Sequence, residues 1–206
     1  VALTPLLVLM LLATTPVNAQ SEPAEPVLTF AVLGDAEPKP KAEFPGVSAA
    51  VDTLNAIAQH KNIEMVFGVG DLPHKATDIQ YENLTTVLER LTLPFYPIMG
   101  NEEFNDTSEK FLDYAQHWGG NTTPIDAIRY TVDHPVATFV SASPDRDGRE
   151  FTDEGVAWID AQFARQPDQP KFLFVHGAQV GIFPEGGDKG TANPNFQMLA
   201  EHEPLA

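Results

Sequence analysis

Four side chains that can bind metal ions each follow an apolar, β-rich run of the sequence. In chain order they are Asp35, Asp71, Asn101 and His176. A glycine stands immediately before each of the first three, where the backbone can turn without a side-chain clash. An apolar run that stops at such a turn predicts a buried strand with its polar residue on the following loop. The sequence therefore predicts carboxylate, amide and imidazole groups at the ends of four strands.

The spacing of these residues predicts the fold that positions them. Asp71 lies 36 positions after Asp35, and Asn101 lies 30 positions after Asp71; each interval is the length of one strand–helix–strand unit. Apolar residues at helical spacing fill the intervals and predict helices at 47–59, 77–91 and 107–118. This alternation predicts an α/β fold with a mainly parallel central sheet. Because ligands bind outside the carboxyl ends of such strands, we expect the four side chains on one rim of the sheet.

The second half of the sequence has a different pattern. Two short β-like runs at 127–132 and 136–141 flank an Asp-His-Pro turn and predict an antiparallel hairpin. A helix at 155–165 and a strand at 171–176 follow. The glycine-rich segment 177–195 is predicted to be a long loop, and a further helix begins at 196–200. Loops of this length are often functional.

Each of the four residues has a structural alternative when it is taken alone. An aspartate after glycine is often only a turn or capping residue, and a strand-end histidine is more often simply hydrogen-bonded. The ordered set favours a metal site, because two carboxylates, an amide and an imidazole suit Mn, Fe, Zn or Mg ions. Two such ions held close together can clamp a phosphoryl oxygen and activate water for hydrolysis of a phosphate ester.

The motifs that contain these residues resemble those of the calcineurin-like metallophosphoesterases. That family's pattern is Asp-x-His, Gly-Asp, Gly-Asn-His-Asp/Glu, a strand-end His and a final Gly-His-x-His. The matching segments here are Gly34-Asp35-Ala36-Glu37, Gly70-Asp71, Gly100-Asn101-Glu102-Glu103 and Val175-His176-Gly177. The resemblance implies a four-layer α/β/β/α sandwich around two divalent ions. It implies that Asp35 binds the first ion, that Asp71 bridges both, and that Asn101 and His176 bind the second.

The sequence departs from this pattern at three places. Glu37 replaces the histidine of the first motif, and we expect it to bind metal through oxygen, with a preference for harder ions. Glu102 replaces the histidine that protonates the leaving group in the family. A carboxyl group can act as that acid only with a raised pKa, and as an anion it would repel phosphate. We assign Glu102 and Asp71 the catalytic roles. The final Gly-His-x-His is not found before Ala206, so we expect the fold to be incomplete at the carboxyl terminus.

His74 follows the expected bridging aspartate by three residues. We assign it a substrate contact or an outer-shell position. The alternative, a loop histidine that faces solvent, is equally compatible with its position.

Composition excludes several classes of partner. The chain has 12 Lys and Arg against 29 Asp and Glu, and its formal net charge is -17. Such acidity argues against nucleic acid and against anionic membrane surfaces. There is no cysteine, so thiolate ligands and disulfides are excluded.

The amino terminus predicts export. Residues 6–12 form a short uncharged apolar run, and a small-residue cleavage motif follows at 17–19, so residues 1–19 are typical of a secretory signal peptide. Residues 20–26 form a linker, and 27–206 form a partial metallophosphoesterase-like domain, secreted or periplasmic, with no membrane contact after signal removal. The alternative is an apolar helix of the mature fold.

Three hypotheses for function remain. The first is a secreted metal-dependent hydrolase of small phosphate esters. The second is a catalytically inactive binding protein on the same scaffold, suggested by glutamate at positions 37 and 102. The third is an unrelated α/β enzyme, which ranks last because no G-x-S-x-G or G-x-G-x-x-G motif is present.

Overall fold

A computed structural model describes residues 28–39, 41–145 and 150–177 of the chain. The predicted signal peptide (1–19), the linker (20–26) and the helix at 196–200 lie outside the described residues. Of the predicted loop at 177–195, only Gly177 is described.

The first sheet is parallel and contains three strands in the order β1, β2, β3. They are β1 (Thr29–Leu33), β2 (Ile63–Gly68) and β3 (Phe95–Pro97). Helix α1 (Pro45–Lys61) connects β1 to β2, and α2 (Asp78–Leu88) connects β2 to β3. This is the predicted strand–helix alternation, and it brings the carboxyl ends of all three strands to the same rim.

The second sheet contains β4 (Arg129–His134), β5 (Ala137–Ala142) and β6 (Lys171–Phe174). Strands β4 and β5 form the predicted antiparallel hairpin, and β6 pairs with β5 in parallel. Helix α3 (Ser108–Ala115) precedes this sheet, and its Thr107 side chain accepts a hydrogen bond from the Lys110 N–H as an N-cap. Helix α4 (Asp153–Ala164) connects β5 to β6.

The alternation of side chains along the strands makes four layers. One face of the first sheet packs on α1, α2 and α3, through a core that includes Val51, Leu84 and Phe111. The outer face of the second sheet packs on α4 through Ile159 and Phe163. The two inner faces meet in an aromatic core of Phe30, Phe67, Phe139, Phe172 and Phe174. The order helices, sheet, sheet, helix confirms the predicted α/β/β/α sandwich.

Two sequence predictions about the strands were wrong. Strand β1 is not fully buried: Val32 is 47% exposed, because β1 lies at the edge of the sheet among the described strands. His176 does not follow a strand of the first sheet, since β6 belongs to the second. It still reaches the common rim, where its ring contacts Asn101 and Asp71, and near the ends of β2 and β6 the Phe67 and Phe174 rings stack with their centroids 4.0 Å apart.

Among the helices that the structure describes, none combines the length and the apolar composition that a bilayer crossing requires.

Candidate metal centre

Two glycines allow the loops after β2 and β3 to touch at the rim. A Cβ on Gly100 would lie 2.4 Å from Asp71 Oδ1 and 2.6 Å from the Asp71 nitrogen, and a Cβ on Gly70 would lie 2.7 Å from Gly100 Cα. Gly70 also has a positive φ of 86°, which L side chains rarely adopt. The sequence therefore permits an approach of the two loops that any side chain at either position would prevent.

Three of the predicted residues meet there in a cluster that we call the strand-end group: Asp71, Asn101 and His176. His176 Nε2 lies 3.2 Å from Asn101 Oδ1 and 3.4 Å from Asp71 Oδ1. Asp71 Oδ1 accepts a hydrogen bond of 2.9 Å from the Glu102 N–H. Asp71 and His176 are both buried. The structure thus brings together side chains that are up to 105 positions apart in the chain.

The His176 ring is held by its other nitrogen. His176 Nδ1 lies 2.8 Å from the Val69 carbonyl oxygen, and a carbonyl only accepts, so Nδ1 carries the proton. In the neutral ring, Nε2 then presents a lone pair to two oxygen atoms, one from a carboxylate and one from an amide. Three lone-pair donors that face one another fit a bound cation, and a backbone carbonyl on the other ring nitrogen is the usual support for a metal-binding histidine.

Glu103 is a positioning residue that sequence reasoning missed. Its side chain is fully buried, and it accepts hydrogen bonds from the N–H groups of Asp71, Leu72 and Gly100 at 3.0, 2.9 and 2.8 Å. One carboxylate therefore ties the loop after β2 to the loop after β3. Burial raises the pKa of Glu103 to about 7, against the opposing effect of the backbone donors. Its place beside Asn101-Glu102 was the available signal in the sequence.

A second cluster lies next to the first, and we call it the loop group: Glu37, His74 and Glu102. Its ligand atoms all lie within 4.8 Å of one another. His74 Nδ1 is 3.1 Å from Glu37 Oε2 and 3.0 Å from Glu102 Oε2. The alternative of a solvent-facing His74 is wrong, because its side chain is 21% exposed and contacts both glutamates, whereas the substrate or outer-shell position stays a prediction.

Asp35 stands apart from these contacts. Its backbone N–H donates to the Gly70 carbonyl oxygen at 3.1 Å, which fixes the loop after β1 to the loop after β2. Its residue is exposed, with a positive φ of 47°. The structure places Asp35 at the rim, as predicted, and its role as a metal ligand stays a prediction.

The rim concentrates negative charge. Desolvation by burial raises the pKa of Asp71, and the charges of Glu37 and Glu102 raise it further, while the Glu102 N–H and His176 act in the opposite direction. Lys39 contacts Glu37, and its hydrogen bond to that carboxylate raises the pKa of the Lys39 ammonium group. A site that collects carboxylates in this way attracts cations.

Comparison with known proteins supports the resemblance that the motifs indicate. A protein of Rhodopseudomonas palustris named "Probable cyclic nucleotide phosphodiesterase" is 28% identical over 132 residues, which are 63% of this chain and 47% of that protein. A "Probable glycerophosphodiester phosphodiesterase" of Arcobacter nitrofigilis is 22% identical over 142 residues, 67% of this chain and 50% of that protein. The chain spans about half the length of these curated relatives. No family model matches the chain.

Solved structures with this fold include a dimetal phosphatase from Danio rerio, with a TM-score of 0.54 at 15% identity over 74% of this chain and 70% of that one. The purple acid phosphatase of yellow lupin (Lupinus luteus) seeds has a TM-score of 0.57 at 17% identity, over 85% of this chain and 36% of that one. GAP50, titled the anchor in the inner membrane complex of Plasmodium, has a TM-score of 0.57 at 13% identity, over 86% of this chain and 63% of that one. The fold is that of the metallophosphoesterases, and the resemblance to the calcineurin-like metallophosphoesterases is confirmed.

Proposed function

We propose that this chain is part of a metal-dependent hydrolase of phosphate esters with two divalent ions at the rim. The observation that carries the proposal is the orientation of His176: its Nδ1 is bound to the Val69 carbonyl, and its Nε2 meets the oxygens of Asp71 and Asn101. The strand-end group would hold one ion, and Asp35 and Glu37 would contribute to the other. The names of the two curated relatives favour a phosphodiester as the substrate class.

The chain's own residues would prepare the site before substrate arrives. The Glu102 N–H holds one oxygen of Asp71, and the Val69 carbonyl holds the imidazole ring, so little reorganisation is needed on metal binding. When bound, a pair of divalent ions would polarise a phosphoryl oxygen and lower the pKa of a water molecule. Lys39 and Lys75 are exposed beside the rim and would offer positive charge to an anionic substrate.

The test is turnover of bis-p-nitrophenyl phosphate by the full-length protein with added Mn²⁺, with p-nitrophenyl phosphate as the monoester comparison. We expect the diester to be hydrolysed faster. Asp71→Asn should lower kcat by more than about 100-fold, the upper end of what outer-shell changes alone cause. Asp113→Asn, an exposed carboxylate on α3, is the matched control and should leave kcat unchanged. Absence of turnover with every divalent ion tried would refute the proposal.

A non-catalytic binding protein is the second candidate. Two observations favour it: glutamate occupies positions 37 and 102, and Glu37 is engaged by Lys39. The similar fold of GAP50, which is titled an anchor, shows that this scaffold is not confined to proteins titled as phosphatases. Metal binding without turnover of either ester in the experiment above would favour this candidate.

We also propose that the mature protein is secreted or periplasmic, on the basis of the apolar run at 6–12 and the cleavage motif at 17–19. Amino-terminal sequencing of the protein recovered from the extracellular or periplasmic fraction tests this, with cleavage after Ala19 as the expected result. Recovery only from the cytoplasm, with an uncleaved terminus, would contradict it.

A further inference from the structure

The loop group is assembled from three separate loops. Glu37 comes from the loop after β1, His74 from a short 3-10 turn after β2 at His74–Ala76, and Glu102 from the loop after β3. Two carboxylate oxygens, one from each glutamate, converge on His74 Nδ1 at 3.1 and 3.0 Å. A ring nitrogen carries at most one proton, so Nδ1 can donate a well-aligned hydrogen bond to only one of the two carboxylates.

Backbone and side-chain hydrogen bonds fix the loop group in place. The Lys75 N–H donates to Glu102 Oε2 at 2.7 Å, and the Glu37 N–H donates to the Asp71 carbonyl oxygen at 3.2 Å. The His74 N–H donates to Oε1 of the buried Gln80 at 3.3 Å. The three side chains are thus presented by supported loops rather than by freely moving ones.

The carboxylates of Glu37 and Glu102 are largely buried, and this burial favours a bound cation between them. The side chains of Glu37 and Glu102 are each only 14% exposed, and both face the same imidazole. Two carboxylates this close and this shielded are costly without positive charge between them. Lys39 reaches only the outer oxygen of Glu37, Oε1, and leaves the two Oε2 atoms and the ring nitrogen facing one another.

We propose that Glu37, His74 and Glu102 bind one divalent metal ion, through one oxygen of each glutamate and Nδ1 of the histidine. One nitrogen and two carboxylate oxygens suit Zn, Mn, Fe or Co rather than Ca or Mg. His74 then acts as a metal ligand instead of contacting substrate, and Glu102 acts as a ligand instead of a general acid. The inference shares with the proposed function the premise of metal at this rim, but it concerns binding alone and requires no turnover.

The loop group is adjacent to the strand-end group through one residue. Glu102 Oε2 faces His74, its Oε1 lies 3.5 Å from Asn101 Nδ2, and its N–H donates to Asp71 Oδ1. An ion in the loop group would therefore lie beside an ion in the strand-end group, with Glu102 between the two ligand sets. In this arrangement His74, which follows β2, supplies a nitrogen ligand, whereas Glu37 and Glu102 supply only oxygen ligands.

The experiment measures Co²⁺ binding to the full-length protein by calorimetry and by visible absorption. We expect two sites, and we expect His74→Ala to lose one of them or to weaken it by at least about tenfold, with a change in the cobalt absorption bands. His117→Ala removes an exposed histidine after α3 and is the matched control. His74→Lys separates metal binding from a simple ion pair, because lysine places a positive charge between the two glutamates but offers no imidazole nitrogen, and it should not restore the metal site.

Each outcome is decisive for one proposal or the other. Loss of one Co²⁺ site in both His74 variants supports the inference, provided that their far-ultraviolet circular dichroism in chelator matches that of the His117→Ala control. Unchanged cobalt binding and spectra in His74→Ala overturn it, even if diester turnover is intact. A His74-dependent cobalt site in a protein with no turnover supports the inference and counts against the proposed function. No cobalt binding by the full-length protein overturns both.

Discussion

The contact between the loops after β2 and β3 predicts a large effect of one added methyl group. In Gly100→Ala, the new Cβ would lie 2.4 Å from Asp71 Oδ1, 2.6 Å from the Asp71 nitrogen and 2.9 Å from His176 Cγ. Ordinary contacts begin near 3.4 Å, so the loops must separate by about 1 Å. Gly100 is not among the glycines with positive φ, and the substitution therefore tests steric contact without added backbone strain.

The expected cost combines two terms. Overpacking of a close-packed region costs about 1–3 kcal/mol, and a weakened hydrogen bond from the Glu102 N–H to the Asp71 carboxylate adds about 1 kcal/mol or more. We therefore expect Gly100→Ala to lower the free energy of unfolding by about 2–4 kcal/mol. Metal affinity should fall as well, because the same movement separates Asp71 from His176.

Gly46→Ala is the matched control for this prediction. It also adds one methyl group, but nothing lies within 4 Å of its Cβ, and Gly46 is in the first turn of α1. Alanine there should leave stability unchanged or raise it by up to about 1 kcal/mol. The assay is urea unfolding of both variants, with Mn²⁺ titration by calorimetry. If Gly100→Ala is as stable as Gly46→Ala and binds Mn²⁺ equally well, the described contact of the loops is refuted.

Three further predictions follow from other parts of the structure. Glu103→Ala should lower stability by about 2–4 kcal/mol, because three buried N–H groups lose their acceptor, whereas Glu82→Ala at an exposed position should change it by less than about 0.5 kcal/mol. Glu103→Gln should change stability by less than about 1 kcal/mol at pH 5, because a carboxyl group with a pKa of about 7 is neutral there, as the amide is. The folded pKa of Glu103, about 7, exceeds the unfolded value of 4.5, so protonation of Glu103 stabilises the folded state at low pH. The free energy of unfolding of chelator-treated wild type should therefore fall by about 3 kcal/mol as the pH rises from 4.5 to 7. Glu103→Gln should lack this decline. Phe67→Ala should cost about 3–5 kcal/mol in urea unfolding, unlike Val136→Ala at an exposed position. Removal of metal by a chelator should lower Tm, because the ions bind the folded state, and an unchanged Tm would count against bound metal.

Local patterns in the sequence were sufficient to predict most of the elements. A helix was predicted at 47–59 from apolar residues at helical spacing, and the buried residues of α1 follow that spacing: Val47, Val51, Leu54 and Ala58. The glycine before Asp35, Asp71 and Asn101 predicted sharp turns, and at Gly100 the contacts of the structure give the physical reason. Where a period of 3.6 or a strand-ending glycine is present, the local sequence carries enough information to place the element.

Tertiary placement was less accessible from the sequence. The pattern of β6 is the same whether it extends the first sheet or builds a second one, so it could not reveal that His176 approaches from the second sheet. That choice depends on the pairing of β6 with β5 and on aromatic packing between the sheets. Likewise, β1 is apolar after Thr29, and its partial exposure depends on which strands lie beside it.

The roles of His74 and Glu103 depend on loops that meet across the fold. Neither residue belongs to a periodic pattern, and each acts on residues 28 to 37 positions away. Glu103 could be identified only once the N–H groups of two loops were seen to point at one carboxylate. His74 could be identified only once both glutamates were seen to face it, because its local sequence is equally compatible with a solvent-facing turn.

The two ligand groups differ in their charged neighbours, and this difference leads to a last prediction. Backbone hydrogen bonds hold both groups, and in the loop group the Lys39 ammonium group also occupies one oxygen of Glu37. A cation that binds there must compete with the Lys39 ammonium group for the charge of Glu37. Lys39→Gln should therefore tighten Co²⁺ binding at the His74-dependent site, and the gain should shrink with added salt, because Lys39 is exposed. Lys61→Gln, at the exposed end of α1, should change neither site. Weaker cobalt binding in Lys39→Gln would show that Lys39 supports the loop group instead of competing for it.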